Sequence, residues 1–157
     1  MAIGGEGFTD MSVPVTARSA RRWQTWVLVA VEALVAYQAI SGAIELITDT
    51  WKLPTEWLTR TPFDSWVGPG WTLIVLVAVP QLLAMAPELF LPRRPRLGIL
   101  AGLLAGTNLL LWIGIQMAVL QVYFFLQPVI AGVGAVEIAL ALWWRASLHR
   151  SAEVSSR

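Results

Sequence analysis

Residues 97–120 read LGILAGLLAGTNLLLWIGIQMAVL, a stretch without one charged side chain. At ~1.5 Å of rise per residue a helix of this length exceeds the ~30 Å of a bilayer's hydrocarbon core. A helix apolar on every face has no place on the surface of a small water-soluble domain. Three further apolar runs cover residues 26–47, 70–90 and 129–144. The first two exceed ~20 residues, and the last lies near the lower limit of ~17 for a crossing. The pattern predicts an all-α, polytopic membrane protein: a four-transmembrane-helix bundle with helices at about 24–48, 69–91, 97–121 and 128–145. Residues 1–22 read as a disordered basic arm, and residues 146–157 as a polar tail. Met11 offers a second start site. The first apolar run is too long for the core of a cleavable signal, so it is expected to remain as an anchor.

Composition narrows the chemistry. Charged residues make up 13% of the chain and hydrophobic ones 57%, against ~25% charged in an ordinary soluble domain. No cysteine is present, which removes thiol catalysis, disulfides and thiolate metal sites. The one histidine, His149, lies in the tail, so a bis-imidazole haem within the membrane is excluded. No metal, cofactor or nucleic-acid partner is expected; the lipid bilayer is.

The cations are sorted along the chain. Arg18, Arg21, Arg22, Arg93, Arg94, Arg96, Arg145, Arg150 and Arg157 fall on one side of a four-span topology, against Lys52 and Arg60 on the other. The positive-inside rule then puts both termini and the 92–96 loop in the cytoplasm, with residues 49–66 and 121–127 outside. Tryptophans follow the same division. Trp23, Trp26, Trp143 and Trp144 flank the inner edge, Trp51, Trp57, Trp66 and Trp71 flank the outer, and only Trp112 falls inside a span. Such belts sit at headgroup depth. In the outer loop, Thr55-Glu56 after Pro54 predicts a short interfacial helix, either an anchor or a lid.

Two small-residue stripes predict close helix packing. Gly98, Gly102 and Gly106 recur every four residues on the third helix, and Ala131, Ala135 and Ala139 do so on the fourth. Bare stripes let backbones approach and gain dispersion contact. They can serve packing within the bundle or a face toward a second copy or a membrane-complex partner.

Each helix also carries one strongly polar residue near mid-depth: Glu32, Gln81, Asn108 and Glu137. No cation is near Glu32 or Glu137 in a span. An intramembrane charge costs at least ~2.5–3.5 kcal/mol, so these carboxyls must be neutral, share hydrogen bonds, or meet water or a cationic ligand. Glu137 is expected to pair with Asn108. Gln38, Trp112 and Gln116 are further candidates for a binding face, although Glu32 is turned about 120° from Gln38 on a 3.6-residue repeat. On the second helix Gln81, Ala84, Met85 and Glu88 share a face, with Glu88 expected to reach Arg93 or Arg94. Pro80 withdraws a backbone donor at mid-depth and predicts a kink.

The segment LTRTPF at residues 58–63, running on to Pro69-Gly70, and the Gln116…Gln127-Pro128 junction resemble the uncharacterised bacterial four-helix membrane proteins, including the DoxX-like group. The resemblance implies a multi-pass protein of the bacterial plasma (inner) membrane without an assigned activity. Glu32, within Ala30-Val-Glu-Ala33, also resembles the membrane-embedded glutamate of the small multidrug resistance exporters, which implies proton-linked transport. Two functions are therefore carried forward. One is a non-enzymatic protein working through helix contacts; the other is a proton-linked transporter or binder using Glu32 and Glu137.

Overall fold

A computed structural model describes the backbone of residues 15–155 and the side chains of residues 23–150; of the arm expected to be disordered, residues 1–22, the first 14 lie outside the described residues and the rest is helical. Four long helices run up and down: α1 (Val15–Ile47), α2 (Val67–Phe90), α3 (Pro95–Leu120) and α4 (Leu126–Ser155). Each contains a segment of 24–26 residues that is long and apolar enough to cross a membrane. Helices adjacent in sequence pack together, and α1 closes the ring against α4. Two ends run further than the hydropathy suggests. α1 begins at Val15, and α4 continues past Arg145 to Ser155. Neither 15–22 nor 146–155 contains Gly or Pro, so nothing local stops the helix where the apolar run stops.

The bundle is apolar outside and partly polar inside. Leu34, Tyr37, Leu83, Leu104, Leu111 and Phe90 are exposed, whereas Glu32, Gln81, Glu88 and Glu137 are buried. In water this distribution would expose one continuous apolar surface. In a lipid solvent it is the favourable one, because polar groups find partners only within the protein.

Glycine sets the closest approach. A Cβ on Gly106 would stand 2.6 Å from the Gly134 carbonyl oxygen, and one on Gly134 would stand 2.9 Å from the Gly106 oxygen. At this crossing α3 and α4 touch through their backbones. Gly102 faces Leu28 and Ala141, and Gly98 faces Trp144 and Glu88. The glycine stripe is therefore occupied within the bundle. On α4 the inward face is Gly134, Glu137, Ala141 and Trp144, while Ala135 and Ala139 are exposed and Ala131 is half-buried. The alanine stripe does not meet α3. Both stripes have helical spacing, and the one beginning at Gly134 wins because it permits contact between backbones.

The helix ends explain themselves locally. α1 stops where Asp49 takes a left-handed conformation (φ 53°). Asp49 N–H then bonds the Leu46 carbonyl and Thr50 N–H the Glu45 carbonyl, the paired bonds of a Schellman cap. In the following loop Thr55–Leu58 forms one 3-10 turn. Trp66 tucks under that loop, donating its indole N–H to the Leu53 carbonyl at 3.0 Å. At the α3–α4 link, Gln127 is 5% exposed; its Oε1 accepts from Phe124 N–H and its Nε2 donates to the Val122 carbonyl.

α2 is irregular. Its α-helical parts Val67–Leu73 and Val79–Phe90 are joined by a π-helical turn, Ile74–Ala78. The cause lies next to it. Pro80 has no N–H for the carbonyl of Leu76, four residues back, so the regular ladder cannot pass this point. Asn108 on α3 supplies the missing donor, its Nδ2 lying 2.6 Å from the Leu76 oxygen.

Candidate functional site

Three carboxyl groups and one amide lie buried inside the bundle. Each comes from the inward face of a helix: Glu32 from α1, Gln81 and Glu88 from α2, and Glu137 from α4. Glu32, Gln81 and Glu137 are wholly buried, and Glu88 is 4% exposed. Gln81 and Glu88 share a face because seven residues make about two helical turns. Glu137 stands four residues before the close contact of Ala141 with α3, on the same stripe that carries Gly134 and Trp144. Small neighbours on α1, Ala36, Ala39 and Ala43, are buried and bring α1 close enough for Glu32 to face inward.

One hydrogen bond links the group: Gln81 Nε2 donates to Glu137 Oε2 at 3.2 Å. The expected partner, Asn108, is instead committed to the Leu76 carbonyl. Sequence spacing gave the depth of both residues but not how far α3 is rotated relative to α4. What remains is a surplus of acceptors. Among the described residues, no donor reaches either oxygen of Glu32, Oε1 of Gln81, Oε1 of Glu137 or either oxygen of Glu88, all of them buried. Leaving such a group unpaired costs roughly 1–3 kcal/mol, and more in a membrane interior. The carboxyls also sense one another: Glu32 is within electrostatic reach of Glu88 and Glu137, and Glu88 of Glu137. Simultaneous ionisation would place like charges together. A proton or a cation relieves both problems, since it supplies donors and removes charge.

The other candidates fall elsewhere. Gln38 is exposed on the outer face of α1, and Gln116 is half-buried near the end of α3. Trp112 packs against the apolar layer of Ala39, Val77, Ala78 and Leu109. Asn108 borders a shallow groove with Pro80, Ala84 and Thr107. Glu88 was expected to pair with Arg93 or Arg94, yet neither of its oxygens has a hydrogen-bond partner. It is held inward by α2, whereas the arginines lie exposed beyond the helix end. The signal for its role was its position two turns after Gln81. Trp144 also departs from expectation. It is 4% exposed and belongs to the core with Leu28, Ile99 and Ala141, not to the interfacial belt with Trp23 and Trp143.

Among the described residues no group of three or more His, Cys, Asp or Glu side chains has a metal-binding arrangement. The carboxyls share an interior without converging on one point, which suits exchange of protons along the group better than a coordinated ion. No family model, curated protein or solved structure matches this chain, so the likeness to the DoxX-like proteins rests on its short motifs alone.

Proposed function

We propose that this protein is a small integral membrane protein that binds protons, or exchanges them for a small cation, at Glu32, Gln81 and Glu137, with its termini and the 92–96 loop on the cytoplasmic face of a bacterial plasma membrane. The observation that carries the reading is the acceptor surplus: a buried cluster with one internal donor and four acceptor atoms unserved on these three residues. Interhelical adhesion alone needs matched donors and acceptors, and contributes only ~0.6–2 kcal/mol per bond in membranes. One carboxyl without a donor and a second with one oxygen unserved are an expensive way to obtain it. Ionisable groups at such depth mark proton or ion pathways by default. The rival reading through helix contacts has lost its best surface, because the glycine stripe is consumed within the bundle.

In this mechanism the resting cluster holds protons on Glu32 and Glu137. Gln81 fixes one oxygen of Glu137 and leaves the other free to give or take a proton. The test is reconstitution into liposomes containing a pH-sensitive dye, comparing the parent with Glu32→Gln and Glu137→Gln. Glutamine is a near-isosteric mimic of the protonated carboxyl, so both variants should fold and lose proton flux or pH-dependent cation binding. Variants that keep full flux would assign the carboxyls to adhesion. Reporter fusions after residue 60 should read as external, and fusions at 95 and 150 as internal; an external C-terminus would refute the orientation.

A further inference from the structure

At the arginine-rich end of the bundle a cavity of about 280 Å³ opens between the ends of all four helices, lined by Trp26, Pro87, Glu88, Arg94, Gly98 and Trp144 among others. Two of its walls carry buried polar atoms with no partner: both carboxyl oxygens of Glu88 and the indole Nε1 of Trp144. The first is an acceptor pair and the second a donor. These walls meet over Gly98, where an added Cβ would lie 2.9 Å from Trp144 Cη2 and 3.2 Å from Glu88 Cγ. The missing side chain lets Trp144 and Glu88 close in against α3 at this point. Arg94 stands exposed at the rim. The remaining wall is apolar, and Trp26, Leu89 and Leu91 continue it outward as exposed surface.

We propose that this cavity binds the headgroup of a zwitterionic phospholipid bearing a primary ammonium, with the ammonium on Glu88 and the phosphate between Arg94 and the Trp144 indole N–H. The groups are arranged for such a headgroup: a buried carboxyl inside, a guanidinium at the rim, and a neutral donor between. A primary ammonium brings three N–H donors to two unserved oxygens. A phosphate is the natural acceptor for a guanidinium and an indole N–H. Size points the same way. The volume lies just under the ~300–1,000 Å³ of ordinary small-molecule sites. It holds a headgroup and not a whole lipid, so the acyl chains stay outside along Trp26, Leu89 and Leu91. The site lies where headgroups are, at the end of the spans marked by Trp23 and Trp143. Of the buried carboxyls it uses Glu88 alone and none of Glu32, Gln81 and Glu137, and it does not depend on the proton-binding reading.

The purified full chain in detergent micelles would be titrated calorimetrically with dihexanoyl-phosphatidylethanolamine, dihexanoyl-phosphatidylcholine and dihexanoyl-phosphatidylglycerol below their micellar concentrations. The ethanolamine lipid should bind at least tenfold more tightly than the choline lipid, whose quaternary ammonium has no N–H. Glu88→Gln should abolish that preference. Trp144→Phe, which keeps the ring and removes the donor, should weaken binding about threefold, and Arg94→Gln should do so several-fold with loss of its salt dependence. Gly98→Ala, whose Cβ forces the Trp144 ring or the Glu88 side chain to shift, should reduce binding of all three lipids. Equal binding of the ethanolamine and choline lipids overturns the proposal, as does an unaltered preference in Glu88→Gln. Tighter binding of the glycerol lipid would instead make this an anion site built on Arg94. If Glu88→Gln does not fold, the ratio measured on the parent chain decides. Glu32→Gln should retain the lipid preference whatever its proton flux, which keeps the two assignments separable.

Discussion

The two ends of this bundle bury the same kinds of side chain and treat them differently. At the end formed by residues 48–66 and 121–127, Trp66 is buried and its indole N–H is bonded to Leu53, while Gln127 is buried and bonded at both ends of its amide. At the arginine-rich end, Trp144 is buried with its indole N–H unbonded, and Glu88 is buried with both oxygens unbonded. One end is closed by polar groups that satisfy one another. The other leaves donors and acceptors open beside a cavity. Burial alone therefore does not identify a structural residue; the completeness of its hydrogen bonding separates a fastening from a site.

The largest effect should come from the wall that joins the two ends. Gly106→Leu forces a side chain onto the Gly134 backbone, which cannot yield as a side-chain tip could, and should leave little monodisperse protein after solubilisation. Gly114→Leu is the control. Nothing lies within 4 Å of a Cβ there, so it should leave thermal stability unchanged or slightly raised, given the helix cost of glycine. Equal damage from both would mean that α3 does not pack on α4 through this stripe.

Next in size is the tryptophan pair. Trp66→Ala should cost about 3–5 kcal/mol as a large-to-small core change, because it also strands the Leu53 carbonyl. Trp144→Ala removes similar contact but also removes an unpaired buried donor, so its loss should be smaller by about 1–3 kcal/mol. Thermal melts of the two variants in the same detergent make the comparison. A larger loss for Trp144 would contradict the contrast between the ends.

The amide and the carboxyl should differ in sign. Gln127→Ala leaves Phe124 N–H and the Val122 carbonyl without their bonds and should destabilise by ~1–2 kcal/mol. Glu88→Met replaces an unserved carboxyl by an apolar side chain of similar length and should be neutral or stabilising. A destabilising Glu88→Met would mean that the carboxyl has a structural partner, such as a bound lipid carried through purification. Among the destabilising changes the smallest loss is expected of Asn108→Ala, at ~0.6–2 kcal/mol for a single interhelical bond. Amide exchange in α2 should report it, by faster exchange around Ile74–Ala78.

The fold was largely legible, because a bilayer imposes length and apolarity in a way that no packing detail overrides. The polar interior was legible in kind. Glu32, Gln81 and Glu137 stood out by the cost of burying them, and all three are enclosed. Their pairing was not, since hydropathy gives depth along each helix and leaves its rotation about its own axis undetermined. That gap sent Glu137 to Asn108 instead of Gln81, and it chose Ala131, Ala135 and Ala139 over the stripe through Gly134. Glu88 was misjudged for another reason. Proximity in sequence to Arg93 and Arg94 suggested an ion pair, but the helix ends between them and directs the carboxyl inward.

The bond from Asn108 to the Leu76 carbonyl has a consequence for how the chain enters a membrane. A newly made α2 carries a carbonyl that its own helix cannot serve, and bare carbonyls are costly in hydrocarbon. The donor arrives only when α3 has been synthesised. The second and third helices are then best released from the insertion machinery together, as a hairpin, with the second waiting at the lateral gate for the third. A nascent chain truncated after residue 94 should leave α2 cross-linkable to the insertion machinery, while one truncated after residue 125 should release α2 and α3 into lipid together. On this view Pro80 and Asn108 act during biogenesis as a check on order.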